Sequence, residues 1–371
     1  MAGDIDQYTP PKRRGLAEWR SNPVTAELTL WQPSDAEALL GIYGRIFGIE
    51  KAGAKRASWK WQYAEIPQPL QSPAIWVARR DGHVVGQIGA MPVSLWWGNR
   101  ELRASWGIDY FVAPEAEGLG DSIALLKAWM TSVDVALAYG LRPASYLICK
   151  RFGFRDLGHV PLFQAVLDPA AIVQRRWGRV ARVFASPALG PARRLIRRRY
   201  SRTVADVEVS PASSIGPEYD ALWERARGGF AMCVRRDASY VRWRYQSAPH
   251  KQYAILEARR DGVLSGFLVS RHEDYRGLRL GWIVDLFTRT DDRGTRVGLL
   301  EAAMNAFLEA GVARVQAFST NQGLAADLRR HGFFKAASSA RLCVRVNGVP
   351  ELPRESGNVW HVVFGDADAD R

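Results

Sequence analysis

A chain of 371 residues, 47% apolar and with a net charge of +13, has room for two ordinary domains around a buried core. No apolar run approaches bilayer length, which excludes a helical membrane span, and the opening MAGDIDQYTPPKRRG lacks the apolar core of an export signal. Three cysteines (Cys149, Cys233, Cys343) stand far apart and six histidines form no ligand motif, so no disulfide scaffold and no metal site are expected, and the chain reads as cytoplasmic with reduced thiols.

Residues 1–24 read as a polar arm containing Pro10-Pro11 and a basic Lys-Arg-Arg. Next comes a helix ending in WKWQY, where Trp59, Trp61 and Tyr63 stand two apart, a spacing read as core packing. ARRDG follows at Ala78–Gly82, with Asp81-Gly82 between apolar runs, a strong hairpin signal. After it come a strand holding Asp109 in WGIDYFV, a polar loop, an apolar-periodic helix (SIALLKAWM), a strand (VDVALAYGL) and a short helix. That helix ends at Gly153-Phe154, and an alternating strand, VPLFQAVLD, closes the unit.

The same order then recurs. ARRDG returns at Ala258–Gly262, preceded by VRWRY, so that Trp61 matches Trp243 and Tyr63 matches Tyr245. Asp285 in WIVDLFT matches Asp109. Gly153 follows Ala78 by 75 residues and Gly332 follows Ala258 by 74, and ARLCVRVN is the second closing strand. Chance does not hold such a register, and a repeat this long is no short solenoid unit. Each unit is a mixed α/β fold with helices over a mostly antiparallel sheet.

The order of elements and the loop VAPEAEGLGDS (Val112–Ser122) resemble the GNAT acyltransferase superfamily, whose pattern here is Val-x-Pro-x-x-Arg/Gln-x-x-Gly-x-Gly/Ala. The ending YLICKRFGF is similar to the family's, in which a tyrosine lies four residues before Gly-Phe. The resemblance covers roughly residues 25–168 and again 206–347, a tandem GNAT protein. It implies an acetyl-CoA or other acyl-CoA donor, its pyrophosphate held by backbone N–H groups at a helix N-terminus. The donor site it implies is Phe111, Val112, Pro114, Gly118, Leu119, Gly120, Asp121 and Ser122. The chemistry is transfer from a thioester to a primary amine. Asp109 would be the base, Tyr146 the acid, Cys149 a proton donor or acyl carrier, and a backbone N–H near Phe111 and Val112 the oxyanion donor. The bland readings are a structural aspartate at 109, a packing tyrosine at 146 and a small buried cysteine at 149. Departures from the pattern are Glu117 at the Arg/Gln position, Asp121 beside the loop, and Cys149 and Leu328 at the tyrosine positions. Two carboxylates beside the loop would oppose a pyrophosphate.

The unit 25–168 keeps Val-x-Pro and Gly-x-Gly in step and is read as donor-binding. The unit 206–347 is read as degenerate, since its loop TDDRGTRVG is shorter; residues 348–371 form a C-terminal tail. Between the units, 169–205 contain ten arginines and no acidic residue, leaving the rest of the chain near +3. Pro187 and Pro191 are expected to interrupt this connector. Its stretch Arg175–Arg202 suits a solvated linker, an anionic membrane surface such as the inner membrane's, an acyl carrier protein or, least, nucleic acid. A loop opposed to pyrophosphate beside a basic segment suits a donor carried on acyl carrier protein. The acceptor fits an amine, for which an amino sugar of surface polysaccharides is a guess from resemblance. Competing readings are a Fem-like transferase taking aminoacyl-tRNA and a binding protein on a catalytically dead GNAT fold.

Overall fold

The computed structural model describes residues 26–67, 74–118, 120–200, 207–348 and 360–367. Residues 1–24, read as an arm, and Leu119 lie outside them. The first half runs β1 Glu27–Leu30, α1 Ala36–Phe47, α2 Ile49–Tyr63, β2 Ile75–Arg80, β3 His83–Trp97, β4 Arg100–Val112, α3 Asp121–Met130, β5 Val135–Tyr139, α4 Pro143–Arg151, β6 Arg155–His159 and β7 Leu162–Val166. α5, Pro169–Tyr200, leads to β8 Glu208–Pro211, α6 Pro217–Ala226, β9 Met232–Val234, α7 Ala238–Val241, β10 Ala254–Arg260, β11 Val263–Tyr275 and β12 Leu278–Thr288. The chain closes with α8 Arg293–Glu309, β13 Arg314–Phe318, α9 Gln322–Arg330, β14 Phe334–Ala336, β15 Arg341–Val346 and β16 Trp360–His361.

Both ARRDG segments form the expected hairpins. Asp81-Gly82 and Asp261-Gly262 take left-handed φ of 50° and 77°, and of 49° and 77°, the pairing a two-residue turn needs to match strand twist. Both Gly-Phe endings close helices in the same way. Gly153 and Gly332 are left-handed, and the N–H groups of Phe154 and Phe333 reach back to the carbonyls of Cys149 and Leu328. The side chains of Cys149 and Leu328 point into the core, which accounts for an apolar residue at each position.

The strands form two mixed sheets. One has the order β1-β2-β3-β4-β5-β15-β6, with β9 added along β3 and β16 along β9; the other is β8-β10-β11-β12-β13-β7-β14. The two closing strands are therefore exchanged, which corrects the expectation that each completes its own unit. β7 lies between β13 and β14, and β15 lies between β5 and β6. Alternation determines which face of a strand is buried but not which edge it joins.

The exchange ties the halves into one body, and a single apolar cluster runs through both sheets from Trp61 and Trp106 to Phe287 and Phe364. At its centre Trp61 and Trp243 stack at 5.2 Å. Each indole N–H donates to the other residue's backbone carbonyl, at 2.7 and 3.0 Å. Trp61 lies on α2 and faces the second half, while Trp59 packs beneath the first half's outer helices. Trp61→Ala and Trp243→Ala are each expected to cost about 3–5 kcal/mol of stability. The double variant should cost clearly less than the sum, because either deletion already leaves the partner's ring face without its stack and its backbone carbonyl without the indole donor. Denaturant unfolding of the four proteins measures this, and strict additivity would contradict the coupling.

α5 is helical through residues 187 and 191, and its break lies instead at Gly178 (φ 85°, ψ 176°), a conformation that only glycine takes cheaply. Its C-terminal end is anchored on the second half: Tyr200 is buried and donates to the carbonyl of His331. Trp177, Val183 and Leu195 remain 61%, 68% and 71% exposed. Among the described residues no helix is long and apolar enough to cross a membrane, and no three His, Cys, Asp or Glu side chains gather as metal ligands.

Candidate active site

β4 and β5 run parallel only as far as Trp106↔Leu137, yet β4 continues to Val112. The strands part there, and the edge of β4 beyond Trp106 loses its neighbour. Opposite β3 the register slips between Gln87 and Gly89, so Asp109 and Tyr110 form a bulge. Asp109 takes φ 47° within it, a left-handed conformation that aspartate tolerates better than most side chains. The bulge turns its carboxylate toward α2.

Three side chains of α2 meet that carboxylate: Lys55 as an ion pair, Tyr63 as a hydroxyl donor, and Gln62 through its amide at 3.4 Å. Lys55 also donates to Gln62 at 2.6 Å. Lys55 and Asp109 are both almost wholly buried. Gly89 makes this approach feasible, since a Cβ there would run into the Tyr63 ring. The carboxylate thus binds three side chains of α2. The sequence singled out neither Lys55 nor Gln62; the signal was their i, i+4, i+7 spacing with Trp59 on one helix.

Next to this cluster lies a cavity of about 550 Å³. α1 and α2 supply one wall, including Tyr43, Phe47, Lys55 and Gln62; the second half supplies the other through Arg244, His250, Lys251 and Tyr253. Its volume is that of a small-molecule site.

The loop after β4 leads to α3. Pro114 opens a short turn, Gly118 and Gly120 are left-handed (φ 83° and 88°), and Gly120 heads α3 with no side chain capping it. The first N–H groups of α3 are therefore left for another acceptor. Asp121 does not oppose an anion there, contrary to the sequence reading. Its carboxylate is wholly buried and takes two hydrogen bonds from Arg80, at 2.7 and 2.8 Å, and one from the Ala26 N–H at 3.3 Å. That removes one of the two premises for a carrier-protein donor. Ser122 accepts the Tyr110 hydroxyl on its carbonyl at 2.7 Å, which ties α3 to the bulge. The side chains of Phe111 and Val112 pack in the core, so only their backbone faces the parted strands.

Tyr146 and Cys149 are placed differently. The Tyr146 hydroxyl donates to Asp156 at 2.7 Å and its ring lies under Arg341. Hydrogen bonding to Asp156, with burial, raises its pKa. Cys149 is sealed in the core, and burial pushes its thiol up to about 12, which keeps it protonated at neutral pH. The contacts of neither residue include the Asp109 cluster.

The corresponding places in the second half are filled by the chain itself. β12 and β13 part after Ile283↔Ala317, and Asp285 there accepts Tyr245 at 2.7 Å, as Asp109 accepts Tyr63. Residues 360–367 fold into this region. Phe364 stacks on Phe318 at 3.8 Å, and Arg236 joins Asp285 (3.0 Å) to Asp366 (2.7 Å), all three fully buried. The α8 N-terminus is capped by the Asp292 carboxylate. Arg296 fills the loop, donating to the carbonyls of Arg289 and Thr290 and to Asp327.

Residues 28–156 match the family described as Acetyltransferase (GNAT) domain. Solved structures share the fold over most of the chain. A GCN5-related N-acetyltransferase from Anabaena variabilis aligns at TM-score 0.59 and 14% identity, covering 86% of this chain and 72% of its own. One from Kribbella flavida aligns at 0.57 and 18%, covering 88% and 72%. Saccharomyces cerevisiae N-myristoyltransferase with bound myristoyl-CoA aligns at 0.55 and 12%, covering 90% and 87%. No curated protein matches the sequence. Residues 28–156 thus match a GNAT acetyltransferase domain, within a chain whose overall fold these solved structures share.

Proposed function

We propose that the chain is an N-acyltransferase that takes its acyl group from acyl-CoA in the first half and transfers it to a primary amine. The two halves are read as one module written twice. The second has given up its donor cleft and serves as the far wall of the acceptor cavity. The observation that carries this reading is the asymmetry between the halves. The first has an uncapped α3 N-terminus and a cavity beside its aspartate, whereas the second fills the same places with its own residues.

In this reading the pyrophosphate lies at Gly118–Ser122 and the thioester along β4 beyond Trp106. The amine arrives through the cavity as its ammonium ion and loses one proton to Asp109; the second proton, released from nitrogen as the amide forms, is the one the thiolate takes up. Its nitrogen then attacks the carbonyl carbon, and a β4 backbone N–H holds the oxyanion. The C–S bond breaks, the amide forms, and the CoA thiolate takes up a proton. The net products are the amide, CoA thiol and one proton. Asp121, paired with Arg80, positions the loop rather than repelling the donor. The test is amine-dependent release of CoA thiol from acetyl-CoA. Release by the wild type that Asp109→Asn abolishes supports the reading, whereas equal release by both would overturn it.

A further inference from the structure

The cavity beside Asp109 has an unbalanced lining. Lys51, Lys55, Arg244 and Lys251 border it, together with His250, and among the described residues no aspartate or glutamate does. Two carboxylates stand behind this lining. Asp109 lies against Lys55, and Glu273 lies 3.1 Å from Lys251 but also 2.8 Å from Arg271. Arg244 is held from behind by two neutral oxygens, the carbonyls of Gly365 and Ala367, each at 2.8 Å. A concave site with low-dielectric walls concentrates the field of such a set. The remaining walls are aromatic. The ring of Trp61 is fixed by its stack on Trp243, and Tyr43 and Phe47 stand 4.5 Å apart at the mouth of α1.

A lining of this sign opposes a polycationic acceptor, because each further ammonium group would sit among lysines. It favours a molecule whose single amine is balanced by a negative group elsewhere. We propose that the acceptor is an amine that also bears a carboxylate or phosphate, with the anion held between Lys51 on α2 and Lys251 on the opposite wall and the amine directed to Asp109. The position of the amine rests on the acyltransferase reading; the anion preference rests on the cavity alone. The second half thus supplies specificity through Lys251, which closes the cavity from across the Trp61–Trp243 contact.

The test is calorimetric binding of matched pairs to the full chain: glucosamine 6-phosphate against glucosamine, and phenylalanine against phenylalanine amide. Each pair differs only in the anionic group. The anionic member of at least one pair should bind at least tenfold tighter, and which pair responds separates phosphate from carboxylate. In Lys51→Glu, at an exposed position, and Lys251→Glu, at a partly exposed one, that advantage should fall to threefold or less, with the member lacking the anion bound no more weakly than by the wild type. Equal binding within both pairs, no binding of any of the four, or an advantage untouched by both variants would each overturn the proposal. Acetyl-CoA is titrated into the same samples. Anion preference without acetyl-CoA binding would refute the acyltransferase reading and leave this one standing; acetyl-CoA binding without anion preference would do the reverse.

Discussion

Asp109→Asn is expected to lower kcat for amine acylation by about 10²–10⁴-fold, the range for loss of a general base, with little change in KM for acyl-CoA. Asparagine has the same size and also tolerates the left-handed φ at this bulge, so the backbone has no reason to move. What disappears is the proton acceptor and the counter-charge of buried Lys55. Breaking one side of a buried pair costs about 3–5 kcal/mol, so the melting temperature should drop as well. Lys55→Met added to Asp109→Asn removes the stranded ammonium. It should restore much of the melting temperature and none of the kcat. A double variant that regains activity along with stability would make Asp109 a positioning residue only.

Arg236→Met is expected to be the most destabilising substitution in the second half, by about 3–5 kcal/mol, because it leaves Asp285 and Asp366 facing each other without the guanidinium that joins them. Acid unfolding carries a second signature. Burial opposes the ionisation of both carboxylates. At Asp285 the charges of Arg236 and His361 and the Tyr245 hydroxyl outweigh burial and hold the pKa at about 2, below its ordinary 3.8. At Asp366 burial prevails and the pKa is raised. A depressed carboxylate stabilises the fold above its unfolded pKa and loses that contribution as pH falls toward its folded one. The Asp285 contribution of the wild type should therefore fade between about pH 4 and pH 2. Arg236→Met lacks that contribution, so its deficit should shrink in the same window. Urea unfolding of both proteins across this range reads it out, and a deficit constant with pH would contradict the assignment of the charge to Asp285.

Much of the local structure was legible because it is set by local chemistry. Asp-Gly between apolar runs specifies a tight hairpin, and Gly-Phe after a periodic helix specifies a left-handed stop. Matching Trp61 with Trp243 picked out two residues that meet face to face. The partners of β7 and β15 were not legible, since alternation alone is satisfied on either sheet. Nor was the insertion of residues 360–367. Asp366 reads as one acid in an acidic tail until Arg236, 130 residues earlier, is seen beside it. At the site, Asp109 and the Gly118–Ser122 loop came from motif and resemblance, whereas Lys55 and Gln62 share a face of the expected helix with Trp59 but show their role only once the β4 bulge brings Asp109 against them. The apparent conflict of Asp121 with a phosphate disappears only once Arg80, at the end of β2, is paired with it.

The most direct test of the account is calorimetric titration of acetyl-CoA into the wild type, Gly118→Trp and Gly294→Trp. Gly118 has open space about it, so an indole there projects into the loop that would hold the pyrophosphate, while Gly294 already abuts the Arg260 guanidinium in the closed second half. The account predicts binding by the wild type and Gly294→Trp and none by Gly118→Trp. Loss of binding in Gly294→Trp with retention in Gly118→Trp would place the donor in the wrong half, and no binding to the wild type would remove free acyl-CoA as the donor.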